Sequence, residues 1–269
     1  MFDFHHDRRR YFDIQYRTSR EHILPYLRER MDLSGPLRVL EIGCAEAGVL
    51  KAFWEAGHDC TGIELNPNRI EYARTFLQDE LAAGERLRFI VRNIYDIDVA
   101  RDLPHRYDLV ILKDVIEHIP DQARFMARLH AFLAPGGKVF FGFPPWQMPF
   151  GGHQQITRNK YLSKLPYFHL LPRPAYRGLL RAFHEPEAVV TELLELKDTG
   201  LSIEAFERIC ADTGYTVIDR RLYLTNPIYS YKFNLKVRRQ VAPVDKLPVL
   251  RNFMTTCAYY LVGPKGSGE

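Results

Sequence analysis

Val39-Leu40-Glu41-Ile42-Gly43-Cys44-Ala45-Glu46-Ala47-Gly48-Val49-Leu50 is the stretch whose reading decides the fold. An apolar, β-prone run carries an acid, a turn of small residues follows, and an amphipathic helix begins. Such a strand–turn–helix unit holds a nucleotide-type ligand at the carboxyl end of the first strand of an open α/β sheet. Small side chains are required because the backbone must pass close to the ligand. The next apolar run, Cys60-Thr61-Gly62-Ile63-Glu64, ends in an acid roughly 20 residues downstream, where a carboxylate can accept both hydroxyls of a ribose. The turn alone leaves several readings open. It fits a structural loop without a ligand. A dinucleotide fingerprint wants Gly at the first, third and sixth positions of the turn, which here hold Gly43, Ala45 and Gly48.

The rest of the chain supplies the context. Residues 19–30 place Ile23, Leu24 and Leu27 on one face, so a helix precedes the sheet despite Pro25, and Gly35-Pro36 breaks it. Residues 49–56 predict the first core helix, stopped by Gly57. Asn66 caps and Pro67 starts a second helix, running to about residue 81. Leu87-Arg88-Phe89-Ile90-Val91 predicts the third strand. Pro120-Asp121 opens a helix with Phe125, Met126 and Leu129 facing inward, and Pro135-Gly136-Gly137 ends it. Strands alternating with helices predict a mainly parallel, doubly wound sheet. Ser202 caps a helix through residue 212, with Gly214 as its stop. Residues 215–218 begin a strand, and residues 254–262 form the last one. The connection between them, residues 226–250, exceeds a hairpin loop and predicts a flap. Residues 144–200 form a long, aromatic, proline-punctuated insertion that leaves from the sheet's carboxyl edge, as lids and binding loops do. The Gly-Ser-Gly tail is expected to fray.

The motifs along this frame carry a resemblance. Glu41-Ile42-Gly43-Cys44-Ala45-Glu46-Ala47-Gly48 resembles the first motif of class I S-adenosylmethionine-dependent methyltransferases, an acid-x-Gly-x-Gly-x-Gly pattern. Ala45 and Ala47 stand where that family usually has Gly; alanine permits close approach but resists positive φ. Glu64-Leu65-Asn66-Pro67 resembles the second motif, and Val91-Arg92-Asn93-Ile94 the third. Tyr107-Asp108-Leu109-Val110-Ile111-Leu112-Lys113-Asp114-Val115-Ile116-Glu117-His118-Ile119 resembles the fourth-strand motif. Leu133-Ala134-Pro135-Gly136-Gly137-Lys138 resembles the turn entering the fifth strand. The five pieces stand in the family's order over residues 36–143, and more loosely over 200–262; the insertion lies outside. Within the class, the chain is similar to small-molecule enzymes of the ubiquinone- and menaquinone-biosynthesis kind. The resemblance implies a doubly wound, seven-stranded Rossmann-like sheet with an antiparallel last strand and a lid after the fifth strand. It divides the chain into an N-terminal helical cap (1–35), a cofactor-binding core (36–143), the lid (144–200) and the C-terminal part of the core (201–269).

The resemblance also implies S-adenosyl-L-methionine as cofactor and S-adenosyl-L-homocysteine as product. Glu64 would take the ribose, Leu65 the adenine face, and Asn93 with Ile94 the adenine edge. Gly43, Cys44 and Ala45 would form the turn around the ligand, with Glu41 orienting it. The methionine end would meet Gly43 and the backbone near Lys113 and Asp114. Tyr11, Phe12, Tyr16 and Arg17 are candidates to cover the cofactor, Arg17 reaching the methionine carboxylate. As general base the candidates are His153, His118 and Asp114, with Glu117 beside them; His153 is favoured because glycines flank it and imidazole titrates near neutrality. Trp146, His153, Gln154 and Tyr161 are candidates for the acceptor pocket, although Trp146 and Tyr161 serve equally as packing within the insertion. No metal site is assigned. Phe143-Pro144-Pro145-Trp146 looks like the Asp/Asn-Pro-Pro-aromatic motif of nucleic-acid amino methyltransferases. Phe143 cannot accept a hydrogen bond from an amine, however, and the segment follows the fifth strand instead of the fourth.

Composition bounds these readings. Hydrophobic residues make up 46% and charged residues 26% of the 269, the profile of a globular chain. No apolar run approaches the ~20 residues that cross a bilayer, and the first ten residues carry no secretion signal. Cys44, Cys60, Cys210 and Cys257 form no Cys-x-x-Cys pair and read as reduced thiols, so a cytoplasmic location is the default. The net charge of +4 is unevenly spread. From Gly151 to His184 there is no acid, while Arg158, Lys160, Lys164, Arg173, Arg177 and Arg181 all occur. A second basic stretch holds Arg220, Arg221, Lys232, Lys236, Arg238 and Arg239. Basic stretches of this kind fit a solvated face, an anionic small molecule, a membrane surface or a polynucleotide. The expected partner is a small-molecule acceptor (a phenol, carboxylate, amine or sugar hydroxyl, anionic or lipid-linked), with nucleic acid disfavoured and peripheral membrane contact through the lid left open. The alternatives are an RNA- or protein-directed methyltransferase and a noncatalytic cofactor-binding module. A nicotinamide oxidoreductase would leave the later motifs unexplained.

Overall fold

The computed structural model describes residues 7–266. The outer ends of the cap and of the C-terminal segment, with most of the Gly-Ser-Gly tail, lie outside them. Five apolar runs form parallel strands: β1 (Arg38–Ile42), β2 (Asp59–Glu64), β3 (Leu87–Val91), β4 (Tyr107–Lys113) and β5 (Leu133–Phe143). β6 (Tyr215–Thr225), β7 (Arg238–Arg239) and β8 (Cys257–Pro264) extend the sheet antiparallel, giving the order β3-β2-β1-β4-β5-β8-β6-β7. The sheet therefore has eight strands among the described residues, not the expected seven. The additional strand is a two-residue edge in which Arg238 and Arg239 pair with Thr225 and Tyr223. β1 lies between β2 and β4, so the winding reverses there. A crevice opens at the carboxyl ends of strands where an α/β sheet reverses in this way.

Local chemistry explains the helices. Asp7 accepts from the Arg10 N–H and starts α1 (Arg8–Thr18), which passes through a π turn (Ser19–Ile23) into α2 (Leu24–Arg28). α3 (Gly48–Glu55) leaves the glycine turn and stops before Gly57, at φ +95. Asn66 accepts from the Asn68 N–H and caps α4 (Pro67–Phe76); the single helix expected to residue 81 breaks at Leu77 and resumes as α5 (Gln78–Ala82). α6 (Val99–Asp102) precedes β4, and α7 (Gln122–Leu129) is capped by Asp121. α7 ends short of Pro135 because that proline already belongs to β5. There the pairing jumps from Tyr107 with Leu133 to Leu109 with Lys138, and the Pro-Gly-Gly segment makes the bulge. α8 (Arg173–Ala182) and α9 (Glu187–Asp198) lie in the insertion. α10 (Ile203–Asp212) is capped by Ser202, whose hydroxyl accepts from the Ala205 N–H at 3.1 Å. α11 (Tyr229–Phe233) and α12 (Leu250–Met254) belong to the β6–β8 connection.

Alternation along the strands splits the core. Val110, Leu112, Phe141 and Tyr260 face α7 and α10; Leu109, Ile111, Phe140 and Tyr259 face the side of α2 and α3. Each fully buried side chain of this size contributes roughly 1.5–3 kcal/mol of transfer free energy. The insertion has a third, separate core of Leu162, Phe168, Tyr176, Leu180, Val190 and Leu193. It is tied at its base by the Trp146 N–H, which donates to the Leu201 carbonyl at 2.9 Å. No helix among the described residues is long and apolar enough to cross a membrane.

Candidate active site

The glycine turn sits at the end of β1 as expected, and its backbone explains the residue choice. Gly43 has φ +73, and a Cβ there would lie 2.7 Å from Val115 Cγ2. Ala45 and Ala47 also adopt the left-handed region, at φ 49 and 64, so the conformation is retained where glycine is missing. Each such alanine costs about 1–2 kcal/mol. At Gly48 a Cβ would come 2.4 Å from the Phe12 carbonyl oxygen, because α1 lies directly on the turn.

Glu64, at the end of β2, holds this turn from the side. Its Oε2 accepts from the Ala45 N–H and its Oε1 from the Asn66 N–H, both at 3.0 Å. Each carboxylate oxygen keeps acceptor capacity for a further donor. Leu65 beside it is 65% exposed, an apolar surface offered to the crevice. Asn93 accepts from the Tyr95 N–H at 3.0 Å, and Ile94 is buried beneath it. Glu41 is buried under the turn, and its Oε2 has no partner among the described residues. Burial, then the neighbouring Glu64 charge, raises its pKa well above the ordinary carboxyl value. Glu41 therefore supports the turn from beneath. Cys44 is buried against Gly62, and burial raises its thiol pKa, so it packs and does not react.

At the end of β4, Lys113 is buried and paired with Asp114. Burial works against the ammonium, but Asp114 outweighs it and holds the Lys113 pKa above its usual value. Asp114 itself has φ +57, pinned by its N–H donating to the Gly142 carbonyl at 2.7 Å. Tyr11 of α1 approaches this pair: burial first, then the Asp114 charge, raises its phenol pKa. Gln15 donates to the Tyr11 hydroxyl at 2.8 Å, and Arg8 pairs with the buried Glu46 of the turn at 2.6 Å. From the β6–β8 connection come Tyr229, pushed up to about 12 by burial, and Lys232, lowered to about 8 by burial. Both feel the charges of Asp114 and Lys113. A cleft of about 830 Å³ between α1 and α11 is lined by Arg10, Arg17, Glu21, Tyr231, Lys232 and Val237 among others.

Past Asp114, a single helical turn (Ile116–His118) turns Glu117 inward and His118 to the surface. His153 reaches His118 from the insertion; the two rings meet edge to face, centroids 4.9 Å apart at 74°. Partial desolvation lowers the His118 pKa. Glu117 is buried, and burial followed by the Asp114 charge raises its pKa.

Several expected site residues are committed elsewhere. Tyr16 donates to Glu55 at 2.6 Å, and Arg17 stacks on Tyr231 at 4.4 Å, so neither meets the glycine turn; that face of α1 belongs to Arg8, Tyr11 and Gln15. Trp146 packs edge-on against His169 and closely over Gly200, at the base of the insertion. Gln154 is fully buried and donates to the Leu165 carbonyl at 2.7 Å, tying its own loop. Tyr161 is 82% exposed. The spacing of Arg8, Tyr11 and Gln15 along one helical stripe was the available signal for the covering face. Tyr229 and Lys232 carried no such signal, since only the long-range path of the β6–β8 connection brings them in.

Together these features define a doubly wound α/β protein with a nucleotide-type crevice at its switch point. The chain belongs to the methyltransferase-domain family, whose model matches residues 4–184. Among curated relatives, the ubiquinone biosynthesis O-methyltransferase of Xanthomonas euvesicatoria pv. vesicatoria is 30% identical over 117 residues, 44% of this chain and 46% of that one. The enzyme of the same name from Pseudomonas aeruginosa strain UCBPP-PA14 is 30% identical over 115 residues, 43% of this chain and 47% of that one. The match thus spans about half the length of these relatives. Among solved structures, magnesium protoporphyrin IX methyltransferase from Synechocystis PCC 6803, with bound S-adenosylhomocysteine, aligns with a TM-score of 0.54 at 13% identity, covering 93% of this chain and 83% of that one. Geranyl diphosphate C-methyltransferase from Streptomyces coelicolor A3(2) aligns with a TM-score of 0.53 at 14% identity, covering 89% and 78%. At these identities the likeness shows the fold.

Proposed function

We propose that the protein is an S-adenosylmethionine-dependent methyltransferase that methylates an oxygen of a small-molecule acceptor. The observation that carries this is the Glu64 carboxylate, fixed at the end of β2 by two backbone N–H groups, beside a left-handed Gly43 turn and the exposed face of Leu65. These residues suit an adenosyl group: an acid for the ribose hydroxyls, an apolar face for the adenine, and bare backbone for close approach. Asn93 and Ile94 extend the adenine side. Lys113, Asp114 and Tyr11 bound the methionine end. When bound, the sulfonium supplies an activated methyl group and its own leaving group. What this chain contributes is alignment and exclusion of water. α1 covers the crevice, and the imidazoles of His118 and His153 stand on the acceptor side to orient a hydroxyl and take its proton.

Three further observations support the choice of acceptor and setting. The curated relatives are named for O-methylation. Lys232 of α11 lies near enough to Asp114 and Lys113 to feel both charges, and so brings a further basic side chain toward the crevice, which favours an anionic acceptor. The insertion exposes Leu165, Leu171 and Phe183 together with Arg158, Lys160, Lys164 and Arg177, which suits transient contact with an anionic membrane from the cytoplasmic side. The test is calorimetry on protein stripped of nucleoside, with S-adenosylmethionine and S-adenosylhomocysteine as titrants, followed by labelled-methyl transfer to a panel of phenols and hydroxy acids. Binding of both titrants is expected. Absence of heat with either overturns the reading.

A further inference from the structure

We propose that Glu117, His118 and His153 form a binding site for one divalent transition-metal ion at the acceptor end of the crevice. One ligand atom from each residue lies within 4.8 Å of the other two. The three come from separate parts of the chain: a single helical turn after β4 supplies Glu117 and His118, and the insertion supplies His153. Around a tetrahedral zinc ion with bonds of about 2.0–2.1 Å, ligand atoms stand roughly 3.4 Å apart. The cluster closes to that spacing by shifts of about an ångström or slightly more. His118 is exposed on a single helical turn, so its side chain can turn by that much toward Glu117 and His153.

Glu117 is the independent sign of a missing partner. It is 7% exposed, and neither of its carboxyl oxygens has a hydrogen-bond partner among the described residues. A buried polar group in that state costs on the order of 1–3 kcal/mol, and a coordinated cation removes the cost. Asp114 is held by Lys113 and is not needed as a ligand, yet its charge is near enough to act on Glu117 and so favours a cation there. Two imidazole nitrogens and one carboxylate oxygen suit zinc, iron(II), cobalt(II) or manganese(II), whereas magnesium and calcium prefer all-oxygen sets. Three protein ligands leave a coordination position open.

The use of that position rests on the methyltransferase reading. An acceptor hydroxyl binds the ion and releases its proton to solvent, because the ion lowers its pKa. The oxygen then attacks the methyl carbon; the carbon–sulfur bond breaks with its electron pair going to sulfur, leaving a thioether, and the metal keeps its oxidation state. In the metal-loaded protein His118 and His153 are ligands, and the ion does the work otherwise given to a base.

The test uses the full chain with His5→Ala and His6→Ala, which remove the adjacent histidine pair near the amino terminus as a competing zinc binder. After dialysis against a chelator, Zn²⁺ is titrated by calorimetry and Co²⁺ by visible absorption. S-adenosylhomocysteine binding is measured on every sample. One Zn²⁺ per chain is expected, weakened at least tenfold by His153→Ala and by Glu117→Gln, with S-adenosylhomocysteine affinity within twofold of the parent. If Glu117→Gln does not fold, His153→Ala decides, since it changes a loop. Zn²⁺ binding that is substoichiometric, or as tight in His153→Ala as in the parent, overturns the metal site. A parent that binds Zn²⁺ through these residues but not S-adenosylhomocysteine keeps the metal site and sinks the donor assignment instead.

Discussion

Glu64→Gln keeps the shape of the side chain and replaces one carboxylate oxygen with an amide nitrogen that can only donate. Both oxygens are in use, one for the Ala45 N–H and one for the Asn66 N–H. The variant therefore sets a donor against a donor at one of the two. A hydrogen bond to a charged group contributes about 1.5–3 kcal/mol, and partial exposure puts the stability loss near the lower figure. With an unfolding entropy of roughly 2.1 cal/mol/K per residue, a loss of about 1.5 kcal/mol lowers the Tm of this chain by about 3 °C. The ribose loses a charged acceptor as well, so S-adenosylhomocysteine should bind about 10- to 150-fold more weakly. Thermal melting with ligand separates the two effects. At a ligand concentration near 100 times the wild-type Kd, wild type gains about 2.7 kcal/mol, or about 5 °C. A variant weakened 30-fold gains only about 0.9 kcal/mol under the same conditions, or about 1.5 °C. A variant that melts about 3 °C lower yet binds within threefold of wild type would refute the ribose assignment and leave Glu64 as a loop tie.

Gly43→Ala should destabilise by about 1–2 kcal/mol from positive φ alone, and by more if Val115 cannot move; chemical denaturation with an unchanged midpoint would contradict this. His169 gives a pH signature. Burial pushes its imidazole down to about 4; Nε2 meets the Trp146 carbonyl at 2.7 Å, and Nδ1 is buried without a partner among the described residues. The unfolded chain takes up that proton at about pH 6.5, so stability is whole above 6.5 and falls by on the order of 3 kcal/mol as pH drops to 4. His169→Gln should flatten that limb of a stability–pH series, and parallel limbs would count against the assignment. Co-sedimentation with anionic vesicles should fall for the Leu165→Ser, Leu171→Ser, Phe183→Ser triple variant and should be weak for zwitterionic vesicles. Equal pelleting across these samples would remove the membrane role.

What was legible in the sequence is what depends on near neighbours. The small-residue turn after β1, the acid ending β2, the Asn66 and Ser202 caps and the Gly57 stop each follow from a few adjacent residues, and all stand where expected. β7 was not legible because Arg238 and Arg239 have no apolar alternation; only their pairing with β6 makes them a strand. Tyr16 and Arg17 stood with Tyr11 and Phe12 as candidates because the resemblance implies a covering N-terminal helix, without saying which of its faces turns inward. Which face docks is settled by packing, with Phe12 against Gly48, and not by composition. The acceptor side divides in the same way. His118 and His153 were read as candidates from chemistry alone and do meet, whereas Trp146 and Gln154 are taken up by the insertion's own packing and hydrogen bonds.

The hydrogen bond from Trp146 to Leu201 has an architectural consequence. It joins the two ends of a segment whose apolar residues cluster with one another, separate from the two layers flanking the sheet. Gln122 closes the same neck by donating to the Thr199 carbonyl at 2.8 Å, and the lobe meets the rest of the protein again where His153 faces His118 and Tyr167 faces Phe253. A segment with an apolar centre of its own can change inside without disturbing the strand ends that hold Glu64 and the Gly43 turn, because the side chains that fill it belong to neither layer of the sheet.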